Sequence, residues 1–176
     1  MKLTPVMEKY ILHWGEMGTR WGVNRTVAQI HALLYLSPKP LPAETIAETL
    51  GVARSNVSTS LKELQSWGLV KRVHVMGDRR DHFEALSDLW DSFFTIAEGR
   101  KQRELDPTLT VTRDCALECG EDEDTDPEVK RRIEEVAKFL ETLLTGYERI
   151  KRLPRPLLLR LLTLGSRLEK LLGKDA

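Results

Sequence analysis

The sequence has little of what secreted and membrane proteins depend on. It contains two cysteines, Cys115 and Cys119, among 176 residues, so no disulfide framework is implied. Pro5, Glu8 and Lys9 interrupt the N-terminal segment, which does not fit a signal peptide. No stretch reaches the roughly 18 uninterrupted apolar residues that a membrane-spanning helix needs. We therefore expect a soluble, cytoplasmic protein without a membrane partner.

Signatures of catalysis and of cofactor binding are also missing. The sequence has no phosphate-binding glycine loop, no catalytic triad signature and no cluster of histidines with carboxylates. No histidine or further cysteine lies near Cys115 and Cys119 to complete a zinc site, so two ordinary buried thiols are favoured over metal ligands or an oxidant sensor. We expect neither an enzyme nor a protein that carries a cofactor or a metal.

The chain lacks net charge, because 27 basic residues balance 27 acidic ones, but the charges are segregated. Between residues 52 and 80 the chain carries six basic and two acidic residues, a local net charge of +4. Residues 118–128 contain seven acids and no base, which predicts an exposed acidic loop. Residues 149–174 contain eight bases and one acid. Such a basic segment could lie on a membrane surface, extend the DNA contact or face the acidic loop of a partner subunit.

Hydrophobic periodicity predicts a chain made mainly of helices, with one short hairpin. The predicted elements are helices over about 5–17, 24–36, 42–50, 53–67, 88–104, 127–150 and 156–172, an irregular helix over 109–119, and strands over 69–75 and 82–85. Asn24 and Asp126 are predicted N-caps, and Pro127 suits a first helical position. The spacing of Val6, Tyr10, Trp14 and Met17 places them on one face of the first helix.

The two short helices and the hairpin that follows them form a winged helix-turn-helix pattern. In residues 53–67, Val57, Leu61 and Leu64 recur at inward spacing and leave polar side chains outside. The DNA major groove admits one α-helix and presents a distinct donor and acceptor pattern for each base pair, so such a helix is suited to reading DNA. The predicted DNA contacts are Arg54, Ser55, Asn56, Ser58, Thr59, Lys62, Lys71, Arg72, Arg79 and Arg80.

Winged helices also serve as protein–protein interaction modules that do not touch DNA, and this alternative stays open. Two features favour DNA. The outward face of residues 54–62 carries no acid, and Arg79 and Arg80 lie together at the tip of the hairpin. Basic side chains at a wing tip suit phosphate contact or insertion into the minor groove.

A resemblance to a known family is carried by one run, GVARSNVSTSLKELQSWGLVKRVHVMGDRRDHFEA, which looks like the winged helix of MarR-type regulators. With the upstream run GTRWGVNRTVAQIHALLYLSPKPLPAETIAETL, residues 5–105 are similar to the GbsR-type subgroup, repressors linked to choline and glycine-betaine metabolism. The resemblance implies a homodimer joined through its N- and C-terminal helices, a pseudo-palindromic operator and release from DNA on sensing a signal. MarR-type chains often have Ser or Thr before the recognition helix, whereas Ala53 here predicts weaker capping.

Apolar residues of the last two helices recur at alternating steps of four and three, which is a heptad pattern. The pattern fits either a dimer interface or the core of a helical layer. Two helix-turn-helix units in a dimer lie about one DNA turn, ~34 Å, apart. The residues predicted to form the dimer are Val129, Ile133, Val136, Leu140, Leu143, Tyr147, Ile150, Leu157, Leu161, Leu164 and Leu168.

The resemblance to choline-linked repressors also implies an aromatic cage for a quaternary ammonium compound, with Trp14 and Trp21 as its candidate members. Aromatic residues at helical spacing more often belong to a core. The predicted organisation is a mainly α protein with a small β-hairpin wing. It has an N-terminal helix over 1–23, a winged helix-turn-helix over 24–86 and a helical dimerisation and regulatory region over 87–176. The predicted function is a dimeric repressor that a small molecule releases from DNA.

Overall fold

The computed structural model describes the backbone of residues 1–172 and the side chains of residues 1–120 and 122–164. The chain divides into two compact units, Met1–Gly99 and Arg100–Ala176. The elements are α1 (Pro5–Arg20), α2 (Arg25–Leu36), β1 (Leu41–Pro42), α3 (Ala43–Leu50), α4 (Arg54–Ser66), β2 (Val70–Val73), β3 (His82–Ala85), α5 (Leu89–Arg100), a π-helical segment (Lys101–Leu105), α6 (Asp106–Glu121), α7 (Pro127–Lys151) and α8 (Arg155–Leu172). The predicted mainly helical fold with a small hairpin is confirmed. No helix in the described range is both long and apolar enough to cross a membrane.

Side chains at the predicted positions begin two of the helices. Asn24 Oδ1 accepts a hydrogen bond from the Thr26 N–H at 2.8 Å, and Asp126 Oδ1 accepts one from the Glu128 N–H at 2.8 Å. Both capping predictions are confirmed. The residue before α4, Ala53, makes no side-chain cap, so the first N–H groups of that helix stay available to another acceptor.

The core of the first unit lies beneath α4. Val57, Leu61 and Leu64 point inward, as their spacing predicts, and are at most 2% exposed. They cluster with Ile30 of α2 and Ile46 of α3, which are completely buried. Because its whole apolar side is used in this core, α4 has only its polar side left for a partner.

The sheet has three strands, whereas the sequence predicted two. Strand β1 pairs antiparallel with β3, and Leu41 lies opposite Phe83 in the order β1-β3-β2. Two residues, one of them Pro42, carry no alternating pattern, which is why the sequence did not reveal this strand. Proline is tolerated there because β1 is an edge strand.

The most deeply buried residues of α1 lie beside the predicted face, of which Tyr10 and Trp14 also pack against the core. Val6 is 78% exposed, while Ile11, Gly15 and Gly18 are buried. The reason is close helix packing: a Cβ atom built on Gly18 would lie 2.5 Å from the Ala28 Cβ of α2. Glycine lets the two backbones approach, and the contact therefore follows the glycine side of α1.

In the second unit, α6 and α7 pack around a small core of Leu109, Leu140 and Leu144. The predicted acidic loop over 118–128 is too long. Helix α6 continues to Glu121 and α7 begins at Pro127, so only residues 122–126 form the connection. Glutamate is a good helix former, and a run of acids therefore does not by itself end a helix.

Candidate nucleic-acid interface

The outward face of α4 presents the six predicted side chains together. All six are exposed: Arg54, Ser55, Asn56, Ser58, Thr59 and Lys62. Ser60, which lies between them in sequence, is buried and belongs to the inner side. The helix therefore offers hydrogen-bond donors and acceptors along one continuous side, and none of the six side chains is acidic.

The wing consists of β2, β3 and the connecting residues 74–81. Lys71 and Arg72 are exposed on β2, and Arg79 and Arg80 are exposed just before β3. The register sets Lys71 opposite Glu84 and Arg72 opposite Phe83. The wing thus carries all four of its predicted basic side chains on accessible positions.

Most of these cations already have a carboxylate partner. The pairs are Arg54 with Glu44, Lys71 with Glu84, Arg72 with Asp81, and Arg80 with Asp78. Within the described part of the chain, Lys62 and Arg79 make no ion pair. Exposed pairs of this kind contribute little to stability, so a phosphate can replace the carboxylate.

Asp78 organises the wing and was not among the predicted site residues. Its Oδ1 accepts hydrogen bonds from the Arg80 backbone N–H and from Arg80 Nε, both at 3.0 Å, and Arg80 Nη2 donates to Oδ2 at 2.5 Å. These bonds hold the pKa of the Asp78 carboxyl well below its usual range. His82 is buried beside them, with Nδ1–H donating to the Arg80 carbonyl at 2.9 Å and Nε2 lying 3.5 Å from Asp78 Oδ2.

The acids of this surface were missed for a simple reason. Glu44, Asp81 and Glu84 lie outside the window of residues 52–80 in which the local charge was counted. Strand pairing and the packing of α3 bring them beside the cations. The position of Asp78, two residues before Arg80 in a predicted turn, was a signal that could have been used, because aspartate often bonds the backbone two residues on.

The two candidate effector residues lie together on α1 and at its C-terminal end. The ring centroids of Trp14 and Trp21 are 6.2 Å apart at an interplanar angle of 84°. Tyr10 stacks on Trp14 at 5.6 Å and 10°, and so covers one of its faces. Trp21 is 53% exposed, whereas Trp14 also packs against the core.

The predicted dimer residues fall into distinct groups. On α7, Val129, Val136, Leu143 and Ile150 are 45–50% exposed, and Ile133 and Tyr147 are half-buried. Leu157, Leu161 and Leu164 are exposed on α8. Leu140 differs, because it is buried against Leu109 and Leu144 of its own chain and thus belongs to the intrachain core. The side chain of Leu168 lies outside the described residues.

The two cysteines of α6 are both reduced. Cys119 is buried and Cys115 is half-buried. Among the described residues, no three histidine, cysteine, aspartate or glutamate side chains are placed to hold a metal ion.

Comparisons with known proteins agree with this architecture. Residues 21–81 match the model of the MarR family. The chain is 22% identical over 135 residues to the putative HTH-type transcriptional regulator YvaV of Bacillus subtilis, covering 76% of each protein. It is 24% identical over 136 residues to the HTH-type transcriptional repressor GbsR of the same organism, covering 76% of this chain and 75% of GbsR.

A solved structure of a transcriptional regulator shares the fold. It matches 82% of this chain and 95% of its own, with a TM-score of 0.62 and 20% sequence identity. The matched residues 21–81 contain α2, β1, α3, α4 and β2 of this chain. Residues 21–81 therefore resemble the winged helix-turn-helix of the MarR family.

Proposed function

We propose that this protein is a dimeric repressor that binds a pseudo-palindromic operator with α4 in the major groove and the wing on the neighbouring backbone and minor groove. The observation that carries the proposal is the outward face of α4, with six exposed hydrogen-bonding side chains and no acid among them. Arg54 can bond guanine through two donors, and Asn56 can pair with adenine. We place the protein in the cytoplasm, where transcription takes place in Bacillus subtilis, the source of its curated relatives.

The uncapped N-terminus of α4 supports the same placement. Ala53 satisfies none of the first N–H groups with its side chain, so these donors can bind a phosphate oxygen. The dipole of the helix favours a negative group at this end. A phosphate contact there would hold the helix in register while Asn56 and its neighbours reach the base edges.

Dimerisation is proposed through α7 and α8. Val129, Val136, Leu143 and Ile150 are seven residues apart, and each remains about half exposed. A heptad of apolar side chains that the chain's own packing leaves open is the pattern of a helical seam. We propose a second copy of the chain as its partner, because a symmetric dimer is the commonest oligomer and matches a two-fold operator.

The first prediction concerns the salt dependence of DNA binding. We expect the wild-type affinity to fall linearly with salt on logarithmic axes, and Arg79→Ala to make the slope shallower by about one. Arg80→Ala should change the slope less, because Asp78 already neutralises Arg80. Fluorescence anisotropy with labelled duplex at several salt concentrations measures both slopes.

The matched control is Lys9→Ala, which removes an exposed cation from α1 and should leave the slope unchanged. A wild-type protein that binds no duplex, or binds it independently of salt, would contradict the proposal. It would favour the alternative, a winged-helix module for protein–protein interaction. One observation supports this alternative: carboxylates already pair with four of the six basic side chains on α4 and the wing.

The second prediction concerns the effector. We propose that the effector is a quaternary ammonium compound that binds beside Trp14 and Trp21. We expect its binding to be weak, because Tyr10 occupies one face of Trp14. A cation on an exposed ring gains only about 0.5–1 kcal/mol. Titration with choline or glycine betaine should therefore change tryptophan fluorescence at millimolar concentration, and Trp21→Ala should remove the change. No change in the wild type at millimolar ligand would contradict the effector proposal.

A further inference from the structure

The tip of the wing carries an apolar side chain that the fold does not use. Met76 is fully exposed, at 102% of its reference area, and its neighbour Val75 is 39% exposed. Arg79, which makes no ion pair among the described residues, follows three positions later in the same loop. The wing therefore presents an apolar tip next to a cation that is available to a phosphate.

The tip is an ordered turn. The Asp78 N–H donates to the Val75 carbonyl at 3.1 Å, and Gly77 has a φ of +83° while Met76 does not have a positive φ. These features are those of a type II turn with Met76 as its second residue. The bonds between Asp78 and Arg80 fix the residue that follows the turn. Met76 is thus held at the apex by hydrogen bonds in which its own side chain takes no part.

We propose that Met76 is an apolar wedge that enters the minor groove of the bound DNA and partly separates one base step. Proteins that place a basic element in the minor groove frequently insert methionine, leucine or another apolar side chain between bases. The ordered turn lowers the conformational entropy lost on insertion. This inference rests on the proposed DNA-binding function and assigns Met76 a positioning role in it, distinct from the phosphate contact of Arg79.

An apolar wedge has a thermodynamic signature that separates it from a charged contact. It buries apolar surface and releases no counterion, so its removal lowers the affinity without changing the salt slope. We expect Met76→Ala to weaken binding by about tenfold, which corresponds to partial loss of a buried methionine side chain. Met76→Leu should bind like the wild type, and Met76→Gln, which has similar length but a polar end, should bind like Met76→Ala.

The experiment uses the full chain and a duplex that the wild type selects from a random pool, with 2-aminopurine placed in turn at the steps beneath the wing. We expect wild-type binding to raise the fluorescence of one 2-aminopurine by unstacking it, and Met76→Ala to abolish that rise. All three variants should keep the wild-type melting temperature, because the Met76 side chain is fully exposed.

Three results would overturn the wedge while leaving the proposed function intact. The first is a Met76→Ala protein that binds as tightly as the wild type, and the second is a Met76→Ala protein whose salt slope changes together with its affinity. The third is equal weakening of the leucine and alanine variants, because leucine retains the apolar surface. Failure of the wild type to bind any duplex would instead refute the proposed function.

Discussion

Replacing Val136 and Leu143 together by glutamate is expected to convert the proposed dimer into monomers. Both side chains are about half exposed on α7, seven residues apart, where a second copy would cover them. In a two-fold interface the new carboxylates of both copies would be buried without a compensating charge, which is strongly unfavourable. A monomer engages one half-site at a time, and loss of the linked second site should lower operator affinity by about a thousandfold. Sedimentation and DNA titration measure the two effects.

The matched control is Lys138→Glu, an exposed position of the same helix that lies outside the heptad. This single substitution makes the chain as much more negative as the double variant does. It should leave a dimer whose affinity for the operator is nearly that of the wild type. Helical circular dichroism of the double variant should persist, because neither Val136 nor Leu143 is in the intrachain core. A double variant that still sediments as a dimer, or a wild type that is monomeric at micromolar concentration, would contradict the proposed dimer interface.

The close approach of α1 to α2 leads to the second large effect, on stability. Gly18→Ala would place a Cβ atom 2.5 Å from the Cβ of Ala28. Neither atom can rotate away, because both are attached directly to helical backbone, so α1 must shift. We expect the free energy of unfolding to fall by about 1–3 kcal/mol, the usual cost of overpacking. Urea denaturation monitored by tryptophan fluorescence would measure it.

Ala28→Gly supplies a compensating change. Alone it should cost about 1 kcal/mol as a helical glycine, but combined with Gly18→Ala it removes the clash, so the two effects should not add. Gly146→Ala is the control, because nothing lies within 4 Å of a Cβ there. We expect it to raise stability by about 0.5–1 kcal/mol. A Gly18→Ala protein as stable as the wild type would show that the helices are not packed as described.

The polar and apolar sides of α4 and the starts of α2 and α7 could be predicted because their signals are local. Val57, Leu61 and Leu64 recur at helical spacing, and α4 buries them as expected. Asn24 and Asp126 begin their helices through bonds to N–H groups two residues away. Such features depend on a few neighbouring residues, so the sequence alone contains the information needed to find them.

The features that escaped prediction depend on residues far apart in the chain. Strand β1 exists because β3 offers it an edge, and Leu41 and Phe83 are separated by 42 positions. The buried face of α1 follows from the fit of Gly18 against Ala28. Leu140 shares the heptad spacing of its neighbours, yet packing against α6 moves it into the intrachain core.

The sequence by itself determined where α2 and α7 begin, which side of α4 is polar and that basic residues gather between positions 52 and 80. Only the tertiary structure decided which of those charges are available. Strand pairing and the position of α3 place Glu44, Asp81 and Glu84 beside Arg54, Arg72 and Lys71, while Arg79 at the wing tip meets no acid among the described residues. A local count of charge measures composition, whereas electrostatic interaction depends on distance in space.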